Sequence, residues 1–158
     1  IGKIKALQLS TQIEIAKRMI RGERNLEAIL DEPQKVWEYL YPEVRSDSVE
    51  RVWVLCLDRK NKLIRAESVT SGTATGSLVH PREVFRPAIR HGATAIILAH
   101  NHPSGDPTPS SADLRVTKKI LEASRTVDLE MHDHVILGEP EHCPQGMGYY
   151  SFSDSGQI

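Results

Sequence analysis

From Ala99 to Asp113 the chain reads AHNHPSGDPTPSSAD. His100 and His102 alternate, and an extended backbone sends every second side chain to the same side. Two imidazoles on one side are a common start of a metal site. Pro103, Gly105, Pro107 and Pro109 can fold the following loop back, so that Asp113 meets the two histidines. A carboxylate in the first turn of a helix also sits at the positive end of the helix dipole. Two imidazoles and one carboxylate make three protein ligands. Zinc held by three keeps a fourth position for water, whose pKa then falls to about 7. Manganese, iron or cobalt would suit the same donors. Hydrolysis further needs a general base and a donor for the oxyanion. Glu50, just before the first strand, is the candidate for the first task. Ser110, one helical turn before Asp113, is the candidate for the second, although it reads equally as a helix cap.

The elements that must position these residues follow from the periodicity. Residues 4–21 read as an amphipathic helix with a partial stripe of Ile4, Leu7, Ile15, Met19 and Ile20, stopped by Gly22. A short helix over 25–30 and a second from Pro33 to Leu40 are expected, the latter ended by Pro42, with a polar linker over 43–48. RVWVLCL at 51–57 and the run 63–69 make a hairpin of strands. Ser71 to Ser77, with Gly72 and Gly76, is a loop. Pro81 opens a helix that Gly92 closes. Ala93 to Ala99 is apolar throughout, as a strand buried on both faces would be. His100 to Pro109 is a loop, and a helix runs from Ser110 or Ser111 to about Arg125. Strands over 129–137 and 149–152 flank an irregular loop at 139–148. This order implies an α/β fold, a mixed sheet flanked by helices, preceded by a small N-terminal helical element. We divide it into residues 1–45, helical, and residues 46–158, which carry the metal-binding residues.

Other candidates are weaker. Ser104 lacks the strand-turn-helix elbow of a nucleophile and reads as a turn residue. His80 is a substrate contact or a helix-start residue. Asp133 and His134 point to opposite faces of a strand, where one could orient a metal ligand or both could be structural. His91, His132 and His142 have no usable partner spacing. Cys56 belongs to the core and Cys143 to an exposed loop. Two cysteines are too few for a disulfide framework or a cysteine-based zinc site, and they suit a reducing cytoplasm. No apolar run approaches the roughly 18 residues of a membrane span. No signal peptide is visible, and the chain opens on Ile1 rather than Met. A net charge of −1 argues against a non-specific nucleic-acid binder. The first 24 residues are nevertheless basic, with six Lys and Arg against two Glu, and could touch DNA. A zinc nucleobase deaminase is excluded. It would need His-x-Glu and Pro-Cys-x-x-Cys, where this chain has His100-Asn101-His102 and no Cys-x-x-Cys.

The pattern His100, His102, Pro103, Ser110, Asp113 resembles the signature of JAB/MPN-type (JAMM) metalloproteases. With SGT at 71–73, HPREV at 80–84, ILAHNHPSGDPTPS around the histidines and DHVILG at 133–138, it resembles the RadC family from about Val49 to the C-terminus. The opening IGKIKALQLSTQIEIAKRM resembles the end of the helix-hairpin-helix region that precedes the domain in that family, most of which this chain would then lack. The resemblance implies a JAB/MPN, cytidine-deaminase-like architecture and a zinc hydrolase of peptide or isopeptide bonds. It also implies an upstream Glu as general base, which Glu50 matches, with Glu67 as runner-up. A DNA repair or recombination accessory, or a non-catalytic metal-containing interaction module, are the alternatives. The segment EPEHCPQGMG at 139–148 departs from the pattern, being longer than a short turn.

Overall fold

A computed structural model describes residues 2–22, 28–45, 47–71 and 79–158. The expected loop over 72–77 and residues 25–27 of the expected short helix lie outside the described residues.

Five strands form one mixed sheet: β1 (Arg51–Leu57), β2 (Leu63–Ser71), β3 (Ala95–Asn101), β4 (Glu130–Leu137) and β5 (Tyr149–Ser151), in the order β2-β1-β3-β4-β5. Only β3 and β4 run parallel. That pair needs a crossover, supplied by α4 (Ser111–Val127). Among the described residues the other helices are α1 (Lys3–Gly22), α2 (Pro33–Val44) and α3 (Pro81–Arg90).

The strands at the centre are apolar on both faces because both faces are covered. On one, Val36, Leu40 and Val44 of α2 pack with Trp53, Leu55, Ile97, Ala99, Val135 and Leu137. On the other, Val84, Phe85 and Ala88 of α3 and Val116 and Ile120 of α4 pack with Val52, Val54, Ile96 and Leu98. Alternation therefore assigns Val52, Leu98 and the position of His100 to the α3/α4 face.

Four local expectations are corrected. Ala28–Leu30 is not helical: Ile29 bridges Lys62, Leu30 N–H donates to Asn61 O and Leu63 N–H to Ala28 O, both at 2.8 Å. Long-range pairing overrides weak local helix preference here. Pro42 does not end α2, which continues through two more residues to Val44. Buried Val44 anchors that last turn in the core. Third, β3 does not stop at Ala99. It pairs with β4 through His100↔Ile136 and Asn101↔Leu137, so the first histidine stands in a strand and not in a loop. Cys143 is buried, not exposed. Helix α1 forms as expected, but Ile4, Leu7 and Ile15 of its apolar stripe are exposed. Among the described residues no helix is long and apolar enough to cross a membrane.

Candidate metal centre

The end of β3 fixes the two histidines. His100 pairs with Val52 of β1 on one side and Ile136 of β4 on the other, and only 2 % of it is exposed. His102 follows on the same face, its N–H donating to Leu137 O at 2.9 Å. The chain then turns tightly: Gly105 N–H donates to His102 O at 2.9 Å. Gly105 has φ +81°, which favours glycine. Gly138 lies directly behind this turn. A side chain there would run into the Gly105 carbonyl oxygen and the Pro107 ring, so the two loops pack backbone to backbone.

Asp113 arrives from α4. Ser110 is the N-cap: its Oγ accepts from Asp113 N–H at 3.2 Å, and its own N–H donates to Asp113 Oδ2 at 2.7 Å. This reciprocal capping box fixes the carboxylate's orientation. The cap role of Ser110 is thus realised, and the residue remains exposed.

The three side chains converge. His100 Nε2 lies 3.0 Å from His102 Nε2 and 3.3 Å from Asp113 Oδ1, and His102 Nε2 lies 3.5 Å from Asp113 Oδ2. One ligand atom from each falls within 4.8 Å of the others, a spacing at which one ion could be held.

The hydrogen-bond partners fix where the imidazole protons sit. His102 Nδ1 lies 2.7 Å from Asp106 O. A carbonyl only accepts, so Nδ1 carries the proton and Nε2 a bare lone pair. For His100 the chain is longer. Thr117 Oγ1 lies 2.7 Å from Asp113 O, again an acceptor, so the hydroxyl proton points there. Thr117 Oγ1 must therefore accept from His134 Nδ1 at 2.6 Å. His134 is buried, and that burial, with His100 beside it, pushes its pKa well below the ordinary value, so the ring is neutral. Its Nε2 then accepts from His100 Nδ1 at 2.8 Å. His100 Nε2 is left bare as well. Two lone pairs and a carboxylate face one another in a nearly buried space, which is unfavourable without a cation between them. A divalent metal fits that donor set. In its place protons must serve. Burial opposes ionisation of Asp113, yet hydrogen bonds from His100, His102 and Ser110 hold its carboxyl well below the usual carboxylate range. Burial likewise opposes protonation of His102, but Asp113 and the Asp106 carbonyl outweigh it and raise its pKa.

Glu50 directly precedes β1. The β1–β3 pairing ends at Val52↔His100, and Glu50 lies two residues beyond it, at the end of the pair where His102 leaves β3. The Glu50 charge also contributes to raising the His102 pKa. Glu67 lies away from this cluster: its carboxylate is 2.8 Å from His91 Nε2, with Arg65 and Arg90 each at 4.0 Å.

The remaining candidates make local contacts. His80 caps α3, accepting from Arg82 N–H. Ser104 Oγ accepts from Asp106 N–H inside the turn. Asp133 faces away from the metal-ligand candidates and binds Ser151 Oγ at 2.6 Å and Ser153 N–H at 2.9 Å. His132 and His142 lie 3.5 Å from Glu130 and Glu139. Sequence reasoning missed two residues that complete the histidine hydrogen bonds, Asp106 and Thr117, and Asn101, which bonds the main chain on both sides of Glu50. Asn101 alone left a signal, as a polar residue extending an otherwise apolar strand.

Known proteins resemble this chain over most of its length. A family model described as a RadC-like JAB domain matches residues 30–157. Over the whole chain it is 42% identical to a UPF0758 protein of Chlorobium phaeovibrioides and 36% identical to one of Methanosarcina barkeri, covering 67% and 66% of those proteins. Over 126 residues, 80% of the chain, it is 48% identical to a UPF0758 protein of Symbiobacterium thermophilum, 51% of which is covered. The chain thus spans between about half and two thirds of the length of these relatives.

Proposed function

Since the chain belongs to the RadC-like JAB domain family, we propose that it is a zinc-dependent hydrolase acting on peptide or isopeptide bonds. The observation that carries the reading is the convergence of His100 Nε2, His102 Nε2 and Asp113 with both Nδ1 protons already committed elsewhere. That arrangement suits two neutral imidazoles and one carboxylate as ligands of a divalent ion. A zinc ion bound by these three supplies an acidified water and a Lewis acid for the scissile carbonyl.

The chain's own groups do the rest. Glu50, whose charge acts on His102, takes the proton of the attacking water and returns it to the leaving nitrogen. Ser110 has its Oγ lone pair engaged by Asp113 N–H, which leaves its exposed hydroxyl proton to donate to the developing oxyanion. Both cysteines are free thiols, in keeping with the reducing cytoplasm as the setting.

The test begins with elemental analysis of wild type and His102→Ala, both purified without added metal. About one zinc per chain, lost in the variant, is expected. On peptide and isopeptide libraries Glu50→Gln should keep the metal and lose about 10²- to 10⁴-fold in rate, the usual worth of a general base. A wild type that takes up no divalent ion when offered one would end the hydrolase reading. Undiminished turnover by Glu50→Gln would end the base assignment.

A further inference from the structure

Asn101 stands between the two histidines and is 2 % exposed. Alternation turns it away from them, to the sheet face opposite the metal-ligand candidates. Its amide is fully directional. Oδ1 accepts the Arg51 N–H at 2.8 Å, and Nδ2 donates to Val49 O at 3.1 Å. These two main-chain groups flank Glu50. The segment ahead of β1 has left the sheet ladder, since the β1–β3 pairing ends at Val52↔His100. The side chain of Asn101 replaces the missing ladder bonds and continues the register by one more residue pair. Asp47 Oδ1 adds a second hold on the same segment, 3.2 Å from the Arg51 guanidinium.

We propose that Asn101 is the positioning residue for Glu50: its amide clamps the main chain on both sides of that glutamate and holds the carboxylate near His102. The inference rests on the reading of Glu50 as the general base. Since Asn101 shares β3 with His100 and directly precedes His102, any displacement of β3 carries base and ligands together. A base fixed through its main chain keeps its distance to the reacting water. Only an amide suits both ends of the clamp, because one end must accept and the other donate.

The test uses the full chain by NMR, with cobalt(II) as the probe metal. In wild type the Arg51 amide should exchange slowly with solvent, and the Glu50 side-chain resonances should be strongly relaxed by cobalt. In Asn101→Ala the Arg51 amide should exchange about tenfold faster or more, as expected for one lost hydrogen bond. The Glu50 relaxation should fall, while cobalt affinity stays within about threefold, since His134 and the Asp106 carbonyl, which hold the two imidazoles, are untouched. Asn101→Asp keeps the acceptor and loses the donor. It should retain Arg51 protection but show reduced Glu50 relaxation, and it carries the test if the alanine variant does not fold. Unchanged Glu50 relaxation in the folded variants would overturn the proposal. So would a loss of cobalt binding with Arg51 protection intact, which would make Asn101 a support of the ligands instead. If wild type binds no cobalt, the hydrolase reading fails separately. The clamp is then decided by Arg51 exchange and by Glu50–His102 proton contacts in the metal-free protein, lost in the variants if the proposal holds and retained if it does not.

Discussion

Replacing His134 by Phe isolates the proton chain behind His100. His134 stacks on Phe152 with ring centroids 4.9 Å apart and planes 9° from parallel. A phenyl ring there keeps the stacking and nearly the volume but removes the Nε2 acceptor. In the metal-bound form His100 Nδ1 must still carry its proton, now facing a ring with no acceptor in a site that is 2 % exposed. An unsatisfied buried donor costs about 1–3 kcal/mol. Without metal the penalty is avoided, because the proton can move to Nε2 and bond Asp113 or His102 instead. The whole cost therefore falls on binding. It corresponds to an affinity roughly 5- to 150-fold weaker, which overlaps the about 10- to 100-fold commonly lost with an outer-shell partner of a metal-bound histidine. Competition for zinc against a chromophoric chelator at fixed pH measures it directly. Thr117→Val, one link further back, should give a smaller loss of the same sign. Zinc affinity in His134→Phe within about twofold of wild type, with an unchanged thermal melt, would refute the proton assignment for His100.

Three further outcomes are expected. His102 has a folded-state pKa above its unfolded value, so its stabilisation of the metal-free protein is fully present below about pH 6.5 and is lost as pH rises through the folded value. Melting temperatures of chelator-treated protein should accordingly fall across that window, while zinc-loaded protein does not, and calorimetry in buffers of different ionisation enthalpy should count protons released on binding. Asp113 has the opposite sign: its depressed pKa contributes above the ordinary carboxylate range and is lost only as acid protonates it. Gly138→Ala forces a methyl group against the Gly105 carbonyl and Pro107, so zinc affinity and melting temperature should both drop, more than in Gly2→Ala, where a Cβ has open space. Leu98→Ala, fully buried in the central strand, should cost about 2–5 kcal/mol in denaturant unfolding while leaving zinc stoichiometry at one once the protein is folded.

What could be read from the sequence divides along physical lines. The hairpin, the buried β3 and α4 announce themselves through apolar period and capping residues, which are local signals. The convergence of His100, His102 and Asp113 was legible because strand alternation and helix capping are also local: the two histidines share a face by spacing alone, and Asp113 is the third residue of a capped helix. The failures are all long-range. Nothing near Ile29 says that Lys62 will pair with it. Asn101 and His100 look like loop residues because they are polar. They remain in the sheet because β4 and the segment ahead of β1 complete their hydrogen bonds. Cys143 sits in a polar stretch and is buried all the same, near turns at Gly146 and Gly148 whose φ values are positive. The role of His134 needed the parallel register, in which it lies beside Leu98 and so one step from His100.

Both proton chains end on main-chain carbonyls, Asp106 O for His102 and Asp113 O, through Thr117 and His134, for His100. A carboxylate in either place would have made the ligands more basic but also the cluster more negative. Carbonyl acceptors neither titrate nor add charge. With neutral imidazoles, Asp113 is then the only charged group among the three ligands, and a bound dication would leave one net positive charge. The Glu50 carboxylate near His102 would balance that charge from outside the ligand set. Positive character at the metal is what acidifies water and polarises a carbonyl. A negative group held just beyond the ligands, free to take a proton, is what general-base hydrolysis requires. On this reading the choice of backbone acceptors, which the fold dictates through the 102–106 turn and the α4 cap, is part of the chemistry as much as the ligands are.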